Sequence, residues 1–209
     1  MGIRWKETET VTAGTGHGYE KGRAKRREII DRAMASFGEV GYRGASLREI
    51  AARCGISHPG LLHHFPTKES LLLAVLRHRD EADGRWLAAD EATGLEALRR
   101  LVGLVALNAT RRGIVELFAV LSAEATSATH PAHDYFVDRY RTSVASFEVA
   151  YTRAHDEGVL RPGIDPRTAG RQLVALMDGL QVQWLLDDSA TDMAEVVRAH
   201  VQAQLTVPL

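Results

Sequence analysis

The side chains best suited to recognition chemistry lie between Ser46 and Lys68. Ser46, Arg48, Ser57, His58, His63, His64 and Lys68 bring hydroxyls, imidazoles and cations into one short stretch, groups suited to phosphate oxygens and base edges. Five further cations, Lys21, Arg23, Lys25, Arg26 and Arg27, precede it, as an arm on a phosphate backbone or as a solvated helix start. Metal chemistry fits less well. His63 and His64 are adjacent, so on a helix they point about 100° apart and cannot share an ion well, which leaves phosphate contact or helix packing. His130, His133 and Asp134 have i, i+3, i+4 spacing but read as an exposed helix cap. The chain has no Gly-x-Ser-x-Gly elbow, no phosphate-cradling glycine loop after a strand, no His-Glu-x-x-His and no Cys-x-x-Cys. A non-enzyme with no catalytic residues, no metal and no cofactor is expected.

Charge divides along the chain. Residues 1–79 hold 14 Lys and Arg against 8 Asp and Glu, and residues 80–209 hold 12 against 19, so the net charge of −1 conceals a basic front and an acidic remainder. The front suits a polyanion and the remainder repels one. With 209 residues, 45% hydrophobic and 25% charged, the chain is long enough for a core without disulfides and is neither disordered nor collagen-like. No apolar run approaches the roughly 18 to 20 residues of a membrane span, and the first residues lack the apolar stretch of a secretory signal. No membrane partner and a cytoplasmic location are therefore expected. Cys54, with no second cysteine to pair, is expected to be a small packing residue.

The elements that must position these groups are helices. Residues 1–22 lack apolar periodicity and predict a flexible tail. From Ala24, the stripe Ile29, Ile30, Ala33, Met34, Phe37, Val40 predicts a helix that stops at Gly41. Ser46 and Glu49 form the pattern of a capping box opening a helix over Leu47–Arg53. Cys54-Gly55-Ile56 is a tight turn, and Ser57 caps a third helix with Pro59 in its first turn and Leu61, Leu62 and Phe65 as its inner face. A fourth helix starts at Thr67 and runs to about residue 84, burying Leu71, Leu72, Val75 and Leu76. Beyond it no strand pattern occurs, and helices are expected over 94–111, 113–127, 131–157, 166–187 and 192–206. The whole is all-α: a tail over 1–22, a helix-turn-helix domain over 23–69 and a helical domain over 70–209.

A helix-turn-helix lays its second helix in the major groove, and that helix needs a small or polar outward face at its start, as Ser57, His58, Pro59 and Gly60 provide. The stretch Arg27–Leu76, with Phe37-Gly38-x-x-Gly41-Tyr42, Ala51-Ala52-Arg53-Cys54-Gly55-Ile56-Ser57 and Leu61-Leu62-His63-His64-Phe65-Pro66-Thr67-Lys68, resembles the DNA-binding domain of TetR-family transcriptional regulators. The resemblance implies that His58, Pro59 and Gly60 lie at base edges and that Ser46, Ser57, His63, His64 and Lys68 face phosphates. Arg48 and the arm residues Arg26 and Arg27 join this DNA-binding set. Leu62 departs from the family, which commonly has Tyr there, so a phenol contact is absent and the leucine packs on a thymine methyl or turns inward.

The same resemblance implies an effector pocket and a dimer. Pocket candidates are the apolar Trp86, Leu104, Phe118, Leu121, Phe136, Tyr140 and Met177, with polar Asn108, Glu124, Asp178 and Gln181; Glu124 and Asp178 are the groups for a cationic ligand. Leu173, Leu180 and Trp184 on the penultimate helix, with Met193, Val197 and Val201 on the last, are the expected dimer interface. The resulting expectation is a homodimeric repressor released from a palindromic double-stranded operator by a small-molecule effector. The alternative, with Leu62 as its argument, is a helical binding module that no longer contacts DNA.

Overall fold

The computed structural model describes residues 15–87, 93–188 and 190–209, with side chains from Glu20 onward and, at the end of the fourth helix, as far as Gly84. Nine helices and no strand occur among them: α1 Thr15–Gly44, α2 Leu47–Arg53, α3 His58–His64, α4 Lys68–Leu87, α5 Gly94–Ala109, α6 Arg112–Glu124, α7 His133–Asp156, α8 Pro166–Leu186 and α9 Met193–Gln202. The all-α expectation holds. Part of the expected tail does not: α1 begins at Thr15, while residues 1–14 lie outside the described residues. Lys21, Arg23, Ala24 and Lys25 are good helix formers, and Lys25 pairs with Glu28 one turn on at 2.7 Å, so polarity there marks a solvated helix face. Gly41, at φ 72°, interrupts α1 where the apolar stripe ends.

Two cores organise the molecule. The first joins Ile29, Ala33 and Phe37 of α1, Ile50 of α2, Leu61 of α3, and Leu71, Leu72 and Val75 of α4 to Leu117, Phe118 and Leu121 of α6 and Phe136 of α7. The second joins Leu98 and Leu101 of α5, Phe147 and Tyr151 of α7, Leu173 and Trp184 of α8, and Val197 and Val201 of α9. Each fully buried side chain of this kind contributes about 1.5–3 kcal/mol of transfer free energy. The first core crosses the expected boundary at 69/70, because α6 lies along α1 and Phe118 and Leu121 close the bottom of the helix-turn-helix.

That seating depends on one close approach. A Cβ on Gly113 would stand 2.8 Å from the carbonyl oxygen of Gly38, so the two backbones touch with no side chain between them. The chain's end also departs from expectation. α9 stops at Gln202, and Leu205 forms an isolated bridge with Leu160. The Arg161 N–H donates to Gln204 O at 2.9 Å and the Thr206 N–H to Val159 O at 2.8 Å, which lets a fully buried Leu205 seal the second core in extended form.

Candidate nucleic-acid interface and internal cavity

The turn between α2 and α3 is closed by the Ile56 N–H donating to Ala51 O at 3.1 Å, with Gly55 at φ 63°, a conformation that favours glycine. Ser57 Oγ accepts from the Gly60 N–H at 3.1 Å and so is committed to capping α3. The capping box expected at α2 does not form. Ser46 makes no side-chain cap bond, and the Glu49 side chain, which would complete the box, turns instead to Arg53 at 2.9 Å, with Arg53 also held by Glu39 at 2.7 Å. The Ser46 hydroxyl is therefore exposed and uncommitted as a cap.

Arg48, Pro59 and His63 are exposed, and His58, Gly60, Leu62 and His64 are half-buried. Leu62 stays out of the core, unlike its neighbour Leu61, which is fully buried, so of the two arrangements open to it the inward turn is not taken. It shares a helix face with His58, one turn earlier. Arg26 stacks its guanidinium 4.2 Å over the Phe65 ring, and Arg27 is exposed on the same helix. Burial, then the charges of His63, Arg26 and Lys25, lower the pKa of His64, so a neutral imidazole is its resting form. Lys68 donates to Arg43 O at 3.1 Å and lies 4.8 Å over the Tyr42 ring, which holds the ammonium at the edge of this face. Tyr42 donates to Glu69 at 3.3 Å; burial and that carboxylate push its pKa up to about 12.

A cavity of about 460 Å³ opens between α4, α5, α7 and α8. Leu101, Leu104, Val105, Phe147, Val174 and Met177 give it apolar walls. At one end Arg79, only 5% exposed, stands 2.8 Å from Asp83, and Asp83 also faces Arg111 at 3.4 Å. Arg111 donates to Asn108 Oδ1 at 2.6 Å, which satisfies the helix-interior amide. Arg139 pairs with Asp80, which accepts from the Tyr135 hydroxyl as well. Arg79 and Arg139 both lie on the ring of Phe118, at 4.0 and 5.0 Å. Burial and the charge of Arg79 pull the pKa of Arg139 down to about 10. Asp178 differs from the other two carboxylates. It is hydrogen-bonded to Tyr140 without a guanidinium of its own, and burial raises its pKa.

Comparison with known proteins decides the family. Residues 29–75 match the model of bacterial regulatory proteins of the tetR family, and residues 95–206 match that of the BetI-type transcriptional repressor C-terminal domain. The chain belongs to the TetR family. The HTH-type transcriptional regulator RutR of Escherichia coli K12 is 37% identical over 70 residues, 34% of this chain and 33% of RutR, so that match spans a third of the relative. The HTH-type transcriptional regulator BetI of Klebsiella pneumoniae is 27% identical over 184 residues, 84% of this chain and 91% of the relative. A transcriptional regulator from Saccharomonospora viridis, solved in complex with choline, superposes with a TM-score of 0.75 at 23% identity, covering 88% of this chain and 98% of that one.

Within this TetR-family frame several expected sites move. Leu104, Asn108, Tyr140, Met177, Asp178 and Gln181 line the cavity as expected. Phe118, Leu121 and Phe136 do not; they are packed into the first core beneath the helix-turn-helix. Glu124 lies at the far end of α6, 3.2 Å from Arg43 and 3.7 Å from His130. The side chain of Trp86 lies outside the described residues. The six expected dimer residues, Leu173, Leu180, Trp184, Met193, Val197 and Val201, are at most 5% exposed within this single chain and belong to its own second core. Leu180, Met193 and Val197 also reach the cavity. A partner surface on α8 and α9 has to come from their opposite faces. His130 and His133 are not an open cap: His130 Nδ1 accepts from the Ala132 N–H at 3.2 Å, and His133 Nδ1 meets Ala125 O at 2.8 Å.

Sequence reading missed Arg79, Asp80, Asp83, Tyr135 and Arg139 in the cavity wall. A signal was present for two of them. Leu72, Leu76, Arg79 and Asp83 fall on one face of α4, so two charges continue an apolar stripe, and charges on a buried stripe require partners or a ligand.

Proposed function

We propose that the chain is a homodimeric operator-binding repressor whose DNA affinity is set by a small molecule in the 460 Å³ cavity. The observation that carries the reading is the span of α4. Its first residue, Lys68, is anchored at the DNA-facing edge, and about 22 Å along the helix the same rigid rod carries Asp80 and Asp83 into the cavity wall. A ligand that shifts those carboxylates moves Lys68 and the two recognition helices, which a palindrome requires about 34–36 Å apart on adjacent turns. His58 and Leu62 then face base edges, and Ser46, His63 and Lys68 face phosphates.

The effector in this reading carries a cationic group. Five aspartates (Asp80, Asp83, Asp134, Asp138, Asp178) against three arginines (Arg77, Arg79, Arg139) line the cavity, and Asp178 is hydrogen-bonded to Tyr140 while Arg139, which also acts on its charge, is paired with Asp80. The structural neighbour from Saccharomonospora viridis, solved in complex with choline, supports a cationic effector. Homodimerisation falls to the outer faces of α8 and α9, where Ala175, Gly179, Val182 and Leu186 line up with Val196 and Ala199; Leu186 is 83% exposed and Val182 48%.

The test is a pulldown of sheared genomic DNA with the purified protein, sequenced and followed by a salt titration on the best site. An enriched palindrome with a steep salt slope supports the reading. A folded dimer that enriches nothing at low salt refutes it and leaves the small-molecule-binding module.

A further inference from the structure

A second cavity, of about 370 Å³, lies between α1 and α6 and shares no residue with the first. Its floor is apolar: Phe37, Leu117 and Leu121 are buried beneath it, and Val40 and Val120, each more than half exposed, stand on its two walls. Its charge is one-sided. Glu39, Glu116 and Glu124 border it against the single cation Arg43. Glu39 is held by Arg53, while Glu116 has no ion-pair partner among the described residues. Arg43 reaches Glu124 at 3.2 Å with its own side chain 83% exposed, and a pair as open as that is weak and easily exchanged.

We infer that this groove is a second ligand site, for a lipophilic organic cation that lays its apolar body between Val40 and Val120 and replaces Arg43 at Glu124. An anion would meet three carboxylates, and a hydrated metal ion would lose water against valine and leucine without oxygen ligands to replace it. The tight backbone contact of Gly38 with Gly113 forms one edge of the groove, so its occupant touches the DNA-binding helices and the effector domain together. The groove also ends on the Gly41–Arg43 turn, whose Arg43 carbonyl holds Lys68 at 3.1 Å. An occupant that also shifts the backbone of this turn loosens that anchor and weakens the hold on DNA. This last step rests on the operator-binding reading; the binding itself does not.

Tetraphenylphosphonium and tetraphenylborate have the same shape and opposite charge, and calorimetric titration of both into the full chain tests the assignment. The cation is expected to bind about 2- to 25-fold more tightly than the anion, given two carboxylates each contributing about 1.4- to 5-fold. Val120→Lys, an exposed position, should abolish the cation binding that persists when the first cavity is filled by Leu104→Trp. The isosteric pair Glu116→Gln and Glu124→Gln should weaken it without changing the melting temperature. Leu104→Trp, which fills the first cavity, should leave it in place. Equal binding of the two ions, an unaffected Val120→Lys, loss of all binding in Leu104→Trp, or no binding to the native chain would each overturn the assignment. Adding the cation to a protein–DNA complex at fixed salt then reads the Lys68 step separately: with the first cavity filled by Leu104→Trp, operator affinity should fall, and should not once Val120→Lys is added.

Discussion

Gly113→Ala isolates the contact by which α6 is seated on the DNA-binding helices. The new Cβ would lie 2.8 Å from the oxygen, 3.0 Å from the Cα and 3.1 Å from the carbonyl carbon of Gly38. All three are backbone atoms, so no rotamer change relieves the clash and one helix must move by several tenths of an ångström. Overpacking of this kind costs about 1–3 kcal/mol. Against it stands the helix propensity of alanine over glycine, at most about 1 kcal/mol and less in a first turn. The net loss is about 1–2 kcal/mol, or a melting temperature lower by roughly 2–8 °C for a chain of this size. The reciprocal substitution, Gly38→Ala, places its Cβ 3.2 Å from Gly113 and should cost less. Thermal unfolding of both single variants and of the double variant gives the ordering, and the double should be non-additive because the two Cβ atoms share one contact. A Gly113→Ala protein as stable as the native one, or less perturbed than Gly38→Ala, would show that the helices do not meet backbone to backbone.

Lys68→Ala and His63→Ala should each weaken DNA binding about equally on every sequence and make the salt slope shallower by roughly one unit per lost phosphate contact, whereas His58→Ala should change sequence preference; the check is fluorescence anisotropy over a salt series. Asp178→Asn should abolish the response to a cationic effector and stabilise the ligand-free protein at neutral pH. Burial raises the pKa of Asp178, so its share of stability is present at acid pH and lost as pH rises through that raised value. The gain from Asn should therefore shrink on acidification, and an equal gain in melting temperature at pH 4 and pH 8 would contradict the assignment. Leu186→Glu with Val182→Glu should yield a folded monomer by sedimentation, while unchanged dimers would place the interface elsewhere.

Helix existence and order were legible in the chain because the apolar periodicity was strong and the breaks were punctuated by Gly41, Gly55, Pro131 and Asp165-Pro166. Asp165 and Asp192 cap α8 and α9, accepting from the Thr168 and Glu195 N–H groups at 2.9 and 3.0 Å. What periodicity cannot say is which neighbour a buried stripe meets. Leu173 and Trp184 are apolar in the same way whether they face a symmetry mate or α7, and only packing in three dimensions assigns them to this chain's own core. Phe118 and Phe136 pose the same ambiguity between cavity wall and core. The capping box at α2 failed for a different reason: its pattern was present, but Arg53 one turn beyond Glu49 made a stronger, charged claim on the Glu49 carboxylate that half of the box needs.

The position of the first cavity gives the protein an unusual relation between strength and activity. Arg79 and Asp83 on its wall come from a helix of the first core, and Leu101, Phe147 and Val174 belong to the second, so the space is a hollow along the seam between them. A molecule filling that seam bonds the halves together and, at a hundred times its dissociation constant, adds about 2.7 kcal/mol of cohesion. If, as proposed, that molecule releases the operator, the state ready to grip DNA is the softer one and the released state the more heat-resistant. Lining the hollow permanently with larger apolar side chains would yield a protein that melts later and no longer senses its effector.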